Sequence, residues 1–320
     1  IGSHCVRQLI AAGHRPVVLD NFVYGHRAAL PSAVPLHEGN LGDEAFVGRV
    51  LRAEKIEAVM HFAAYCYVGE SVHDPLKYYL NNVAATLHLL QAMTANGVRK
   101  FVFSSTCATF GIPATLPIHE ELPQAPINPY GQTKAAVEQL LADVAASEPG
   151  WRIARLRYFN PVGAHPSGQI GEDPSGIPNN LFPFVSQVAV GRRPQLQVYG
   201  GDWPTPDGSG VRDYIHVMDL AEGHKAALEV LLAEDPQLLT LNLGSGQGHS
   251  VLEVAVAFEA ASGRPVPLQI VERRPGDAAI TVADPSRAAE RLGWRTRRTL
   301  ADMCRDGWAW QSANPQGYGA

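Results

Sequence analysis

Short apolar, β-branched runs alternate with longer stretches of helical spacing through the first half of the chain. PVVLD (Pro16–Asp20), AVMHFA (Ala58–Ala63), KFVFSST (Lys100–Thr106) and RIARLRYF (Arg152–Phe159) read as strands, with a weaker one at Val34–His37. Between them, helical patterns occupy about Cys5–Ala12, Glu44–Ala53, Leu76–Asn96 and Gly131–Ala146. Such alternation predicts βαβ units and a parallel sheet, with ligands bound beyond the carboxyl ends of the strands. After Asn160 the texture changes. Pro161–Asn180 is rich in Gly, Pro, Ser and Asn, which is loop chemistry. Helices follow near Leu181–Val190, Leu220–Leu232 and Val251–Ala261, with strands near Gln197–Tyr199 and Leu239–Leu243. The expected organisation is a dinucleotide-binding domain over residues 1–160, to which the chain returns around 213–240, and a smaller mixed α/β domain over residues 161–320.

Composition narrows the function classes. With 46% hydrophobic and 18% charged residues the chain can bury a large core. A net charge of -5 and the lack of any Lys/Arg run disfavour nucleic-acid binding. No stretch approaches a membrane span and no leader pattern precedes the first helix, so a cytoplasmic protein is expected. The four cysteines and twelve histidines are scattered without metal-ligand spacing, so no metal is expected.

The candidate chemistry sits in NPYGQTK, Asn128–Lys134. Pro129 suits a first helical position, so Tyr130 and Lys134 share one helical face. A phenol titrates near ~10; bringing it down by roughly three units takes ~4 kcal/mol, within reach of one fixed ammonium in a half-buried site. Asp20 ends a strand, where an acidic residue accepts from the adenosine ribose hydroxyls and repels a 2′-phosphate, which predicts NAD over NADP. Gly2 stands at a helix entrance. It corresponds to the last glycine of a pyrophosphate loop, so a first strand and most of that loop, roughly ten residues, are expected to lie outside these 320 residues. The chain as written is then expected to be poorly soluble and to hold little NAD.

Together with SSTCATFG, the motifs IGSH, LDN, HFAA, VGES, LRYFNPVGAHPSG, GIPNN, DGSGVRDYIHV, RRPGD and NPQGY occur in order along the chain. On them the sequence resembles an extended short-chain dehydrogenase/reductase, and specifically the UDP-galactose (UDP-glucose) 4-epimerase family. The resemblance implies a doubly wound Rossmann domain with bound NAD, and interconversion of the two sugars through a 4-keto intermediate. It implies Tyr130 as proton acceptor, Lys134 on the nicotinamide ribose and Thr106 as the hydroxyl bridging sugar and tyrosine. Asp20 and Asn21 are implied at the adenosine ribose, Asn40 and Leu41 at adenine, and Phe62 and Ala63 beside the diphosphate, with Asn81 or Asn82 and Tyr158 completing the cofactor site. Asn160 and Asn180 are implied on the UDP-sugar, Tyr199 beside uracil, and Arg212 and Arg274 on the diphosphate. Thr281 falls where a bulky tyrosine narrows the pocket in some members, so N-acetylated hexoses are expected to fit. A homodimer through helices 82–96 and 131–146 is implied as well.

Two positions depart from the family pattern. Asn40 replaces a usual aspartate, and Cys66 stands where many members carry lysine. The AA-x-x-YVGES form also resembles pentose 4-epimerases, whereas GIPNN and RRPGD argue for a hexose. A 4,6-dehydratase would need an acidic pair after Thr106; Cys107 and Ala108 stand there instead. A non-catalytic dinucleotide-binding protein, or an inactive fragment, is the reading of another class.

Overall fold

The structure, a computed structural model, describes residues 1–274 and 276–319. Pro275 of the RRPGD motif lies outside the described residues. In the first half the elements run α1 (Gly2–Ala11), β1 (Val18–Asp20), β2 (Leu36–Glu38), α2 (Glu44–Ala53), β3 (Val59–His61), α3 (Val68–His73), α4 (Pro75–Tyr78), a π-helical segment (Tyr79–Ala84), α5 (Ala85–Ala95), β4 (Lys100–Thr106), α6 (Pro129–Ser147) and β5 (Arg152–Tyr158). The second half adds β6 (Asn160–Val162), α7 (Leu181–Ala189), β7 (Leu196–Tyr199), β8 (Val211–His216), α8 (Val217–Ala233), β9 (Gln237–Leu243), β10 (Gly248–Ser250), α9 (Val251–Ser262), β11 (Leu268–Val271), β12 (Ile280–Thr281), α10 (Ser286–Leu292) and α11 (Leu300–Ala313).

Strands β3, β4, β5 and β9 form one parallel sheet in that order. The pleat of β4 sends alternate residues to opposite faces. Phe101 and Phe103 pack with Met93 and Leu141 on one side, while Val102 packs with Leu220 and Leu228 on the other. Helices α5 and α6 thus cover one face and α8 the other, the doubly wound arrangement expected. Burying each such side chain contributes about 1.5 to 3 kcal/mol. Parallel β1 and β2 pair separately, and among the described residues no ladder joins β1 to β3. In the second half β8 pairs with β6, β10 and β12, and β7 with β11, around a separate core that includes Phe182, Val198, Phe258 and Met303.

The helix expected over Leu76–Asn96 is interrupted. The π-helical segment turns Asn82 inward, where it is 3% exposed. Its amide donates to the Tyr65 carbonyl (2.9 Å) and Thr133 Oγ1 (3.1 Å) and accepts from the Tyr65 N–H (2.8 Å), tying the segment after β3 to α6.

Candidate active site

Helix α6 starts where NPYG predicts. Asn128 accepts from the Gly131 N–H at 2.8 Å and Pro129 takes the first helical position. The next residue, Tyr130, donates its backbone N–H to Ser71 Oγ (3.2 Å), whose own proton goes to the Val68 carbonyl (2.6 Å). The VGES motif, unassigned in the sequence reading, is therefore helix α3, a brace for Tyr130. Gly131 has no room for a side chain: a Cβ there would stand 2.7 Å from the Ala108 carbonyl oxygen. That close approach brings Tyr130 against the turn after β4, where Thr106 Oγ1 accepts from the Ala108 N–H at 3.1 Å. Lys134, one turn on, is 3% exposed and donates from Nζ to the Ser104 carbonyl at 2.7 Å, over the Phe103 ring.

Burial decides the protonation of this pair. It holds the Tyr130 phenol well above its ordinary range; Tyr158 and Cys66 push the same way, and hydrogen bonding to Thr106 opposes. It pushes Lys134 down to about 8, against the pull of Cys66 and Glu138. From sequence spacing alone the ammonium is expected to acidify the phenol. In the structure the ammonium is aimed at Ser104 and desolvation of the phenol wins, so Tyr130 keeps its proton at neutral pH.

A cavity of about 780 Å³ runs from the N-terminus of α1 to the segments after β1, β2 and β3. Gly2, Asp20, Asn21, Asn40, Leu41, Phe62, Ala63 and Asn81 all line it, as does Asn180. It also passes between β1 and β3. The lining suits a dinucleotide. The first turn of α1 carries no acidic residue and its N-cap makes no side-chain bond, so N–H groups and the positive end of the helix are free for phosphate. Asp20 accepts from the Phe22 N–H (2.8 Å) through Oδ1, leaving Oδ2 for a ribose diol. Asn40 spends one lone pair of Oδ1 on its own loop, accepting from the Gly42 N–H at 2.8 Å. Of the two candidate asparagines, Asn81 faces the cavity and Asn82 is the structural tie.

Tyr130, Lys134, Thr106, Tyr158 and the remaining expected sugar-site residues are not among the lining side chains of this cavity. Cys66 connects the groups: its exposed side chain lines the cavity, and its thiol, raised by the protein packed around it, feels the Lys134 charge. On the other side Cys107 lies within the field of Arg212 and also acts on Tyr130. Arg212 faces Thr281 in the β8–β12 register, and Asn160 heads β6 opposite Tyr214 of β8. The Arg274 guanidinium lies over the Tyr199 ring at 4.5 Å and pairs with Asp277 (3.1 Å), so the expected uracil ring and phosphate cation touch each other. Among the described residues no group of His, Cys, Asp or Glu is arranged to hold a metal, and no helix is long and apolar enough to cross a membrane.

Two features escape sequence reasoning. Glu172 lines the cavity, and burial pushes its carboxyl up to about 7, with Asn180 opposing; its signal was a lone acidic pair inside a loop-rich stretch. The far wall is closed by Tyr318. Its N–H donates to the Asp173 carboxylate (2.9 Å), its hydroxyl meets the Gly171 backbone (3.1 and 3.2 Å), and its ring stacks on His26 at 4.8 Å. His26 Nε2 in turn donates to the Asp173 carbonyl at 2.8 Å. Three segments remote in sequence thus interlock over the cavity.

The model of the "NAD dependent epimerase/dehydratase family" matches residues 1–244. The UDP-glucose 4-epimerase of Bacillus subtilis is 51% identical over 325 residues, covering 99% of this chain and 96% of that protein. A solved UDP-glucose 4-epimerase from Stenotrophomonas maltophila, with bound NAD and formylated UDP-arabinopyranose, superposes with a TM-score of 0.96 at 45% identity, covering 98% of this chain and 96% of that one. The Bifidobacterium longum enzyme, in complex with NAD+ and UDP, gives 0.94 at 45% identity over 99% and 96%. On the family model over residues 1–244 and the likeness over nearly its whole length to these enzymes, the chain belongs to the NAD dependent epimerase/dehydratase family, in its UDP-glucose 4-epimerase group.

Proposed function

We propose that the protein interconverts UDP-galactose and UDP-glucose at C4 with bound NAD, using Tyr130, Lys134 and Thr106. The observation that carries the reading is the docking of α6 on the end of β4, which sets Tyr130 and Lys134 against Ser104–Thr106 beside the cavity headed by Asp20. When bound, oxidised NAD supplies a hydride acceptor and a positively charged ring. The chain's own residues do the rest. Tyr130, a neutral phenol in the protein alone, would have to give up its proton once that positive ring lies beside it; as phenolate it takes the C4 hydroxyl proton as the C4–H bond breaks, leaving a 4-keto sugar, and returns that proton when the C4–H bond reforms on the opposite face. Thr106 orients the hydroxyl toward the phenol. Lys134 grips the cofactor ribose. Gly2, Asp20, Asn21, Asn40, Leu41, Phe62, Ala63, Asn81 and Tyr158 hold the cofactor. Tyr199, Arg212 and Arg274 anchor the UDP, the two arginines as bidentate partners of its phosphates, while Asn160 and Asn180 hold the sugar loosely enough to turn. Firm nucleotide anchoring with weak sugar contact lets both faces of C4 meet one hydride site.

The test is to add NAD to protein stripped of cofactor and follow UDP-galactose. Conversion to UDP-glucose without net cofactor reduction is expected; protein that binds NAD and UDP but leaves the sugar unchanged would sink the reading. Thr281 is half-buried beside Arg212 and small, which favours acceptance of UDP-N-acetylglucosamine as a second substrate. Failure to convert it, with Thr281→Tyr leaving UDP-glucose turnover unchanged, removes that extension.

Domain roles follow the same reading: residues 1–160 with β9 and α8 carry the cofactor, and the mixed second half carries the UDP-sugar. A homodimer in the cytoplasm belongs to it as well. Exposed apolar side chains gather on α3, α4, the π-helical segment and α5: Val68, Val72, Leu76 (73% exposed), Tyr79, Leu80 (68%) and Leu87. A second copy of the chain covers this strip. It lies N-terminal to much of the 82–96 helix expected from sequence, because Leu89, Leu90 and Met93 are spent on the subunit's own core.

A further inference from the structure

Glu138 is a carboxylate 1% exposed, one helical turn beyond Lys134 on the same face of α6. Donors converge on it from three directions. Arg157 donates from Nε (3.0 and 3.2 Å) and from its terminal nitrogen (2.6 Å), Gln124 donates at 2.8 Å, and the Ser105 hydroxyl donates as well. Ser105 and Arg157 are register partners on β4 and β5, so the carboxylate pins α6 to two strands at once. Arg157 uses its remaining nitrogen on the Glu120 carbonyl (3.1 Å), and the Glu120 carboxylate accepts from the Asn242 N–H (2.7 Å), which carries the network to β9. The end of β4 then meets α6 residue by residue. Ser104 takes Lys134, Ser105 takes Glu138, and Thr106 meets the Tyr130 phenol.

We propose that the Glu138–Arg157 pair is a positioning element of the proton-transfer site: it locks the axial register of α6 against β4 and sets a negative charge under the Lys134 ammonium. The inference rests on the reading of Tyr130 and Lys134 as the proton-handling pair. The titratable groups that interact with Lys134 are Cys66, from the segment after β3, His61 of β3 and Glu138 of α6, while Tyr130 and Tyr158 act on each other and on Cys66 nearby. Burial keeps Cys66, His61, Tyr130 and Tyr158 neutral near pH 7. Glu138, as the ion-pair partner of Arg157, supplies the anionic charge that opposes the discharge of Lys134 by burial. Arg155 also reaches the helix here, but through the Glu138 carbonyl at 2.9 Å.

Three variants separate register from charge. Glu138→Gln/Arg157→Met removes both buried charges together, which a core tolerates better than half of a pair. Ser105→Ala and Glu138→Asp disturb the docking and keep the charge. In the double variant the alkaline limb of the kcat profile is expected about one pH unit lower, with activity near pH 8 down about fivefold and partly recovered at pH 6.5. Denaturant melts of the protein stripped of cofactor should show the stability gain from Lys134 deprotonation beginning at correspondingly lower pH. Ser105→Ala and Glu138→Asp should lower kcat about three- to tenfold with the limb unmoved. A loss in the double variant that is equal at every pH, with the melts unmoved, overturns the proposal. So do unchanged kcat values in the two charge-conserving variants. If the double variant does not fold, those two still decide the register. Full turnover by Tyr130→Phe, by contrast, would strike the catalytic reading itself, whereas the melts test the Glu138 charge without any turnover.

Discussion

Tyr130 holds its proton in a buried site, and Lys134 beside it is charged at a cost. For Tyr130→Phe, which keeps the ring and the backbone bond to Ser71, kcat is expected to fall about 10²- to 10⁴-fold while NAD and UDP still bind by calorimetry. Lys134 carries an opposite expectation for stability. Its folded value of about 8 lies below the ordinary 10.5, so between those values the unfolded chain binds more protons than the folded one and stability rises with pH. Below pH 8 the charged form costs the fold about 3 kcal/mol. Lys134→Met is therefore expected to raise the melting temperature at pH 7, to do so much less at pH 10.5, and to abolish turnover; a lower melting temperature at pH 7 would contradict this. The places of Tyr130, Lys134 and Asp20 in the fold were legible because each stands at a helix start or strand end that local pattern marks. Glu172 and Tyr318 were not, because their roles arise from segments about 145 residues apart meeting over one cavity, and no local pattern encodes that.

The strand of β4 was readable to its last residue, since a run of aromatic and β-branched residues flanked by helical spacing admits one assignment. Helix α5 was not. Leu76–Asn96 has helical spacing throughout, yet the buried demands of Asn82 open a π-helical segment within it. Asn82→Ala leaves the Tyr65 N–H and carbonyl without their partner, so a loss of about 2 to 4 kcal/mol is expected in denaturant melts. A loss under 1 kcal/mol would mean that the segment relaxes into a regular helix. Helix α3 is short and contains Gly69, which hid it from periodicity although its Ser71 steadies Tyr130. In the second half, β8 joins strands from three separate stretches, and pairings of such range have no footprint in a local window.

At the scale of the molecule the exposed strip around Leu76 and Leu80 is the surface that the proposed second copy would cover. Leu76→Glu/Leu80→Glu is expected to shift a dimer to monomer in analytical ultracentrifugation, with the sheet intact by circular dichroism; an unchanged sedimentation coefficient would place the partner elsewhere. The clasp of Tyr318 over Asp173 and His26 has a consequence in time. During synthesis Tyr318 emerges after every other residue of the wall it completes, so the nascent chain can build its sheet long before it can shut the cavity. Retention of the cofactor is then expected to depend on the freedom of that one tyrosine. A bulky fusion placed directly after residue 318, or Tyr318→Ala, should leave folding cooperative and yet let bound cofactor wash out faster on gel filtration, which makes the choice of tag a variable in any measurement of bound NAD.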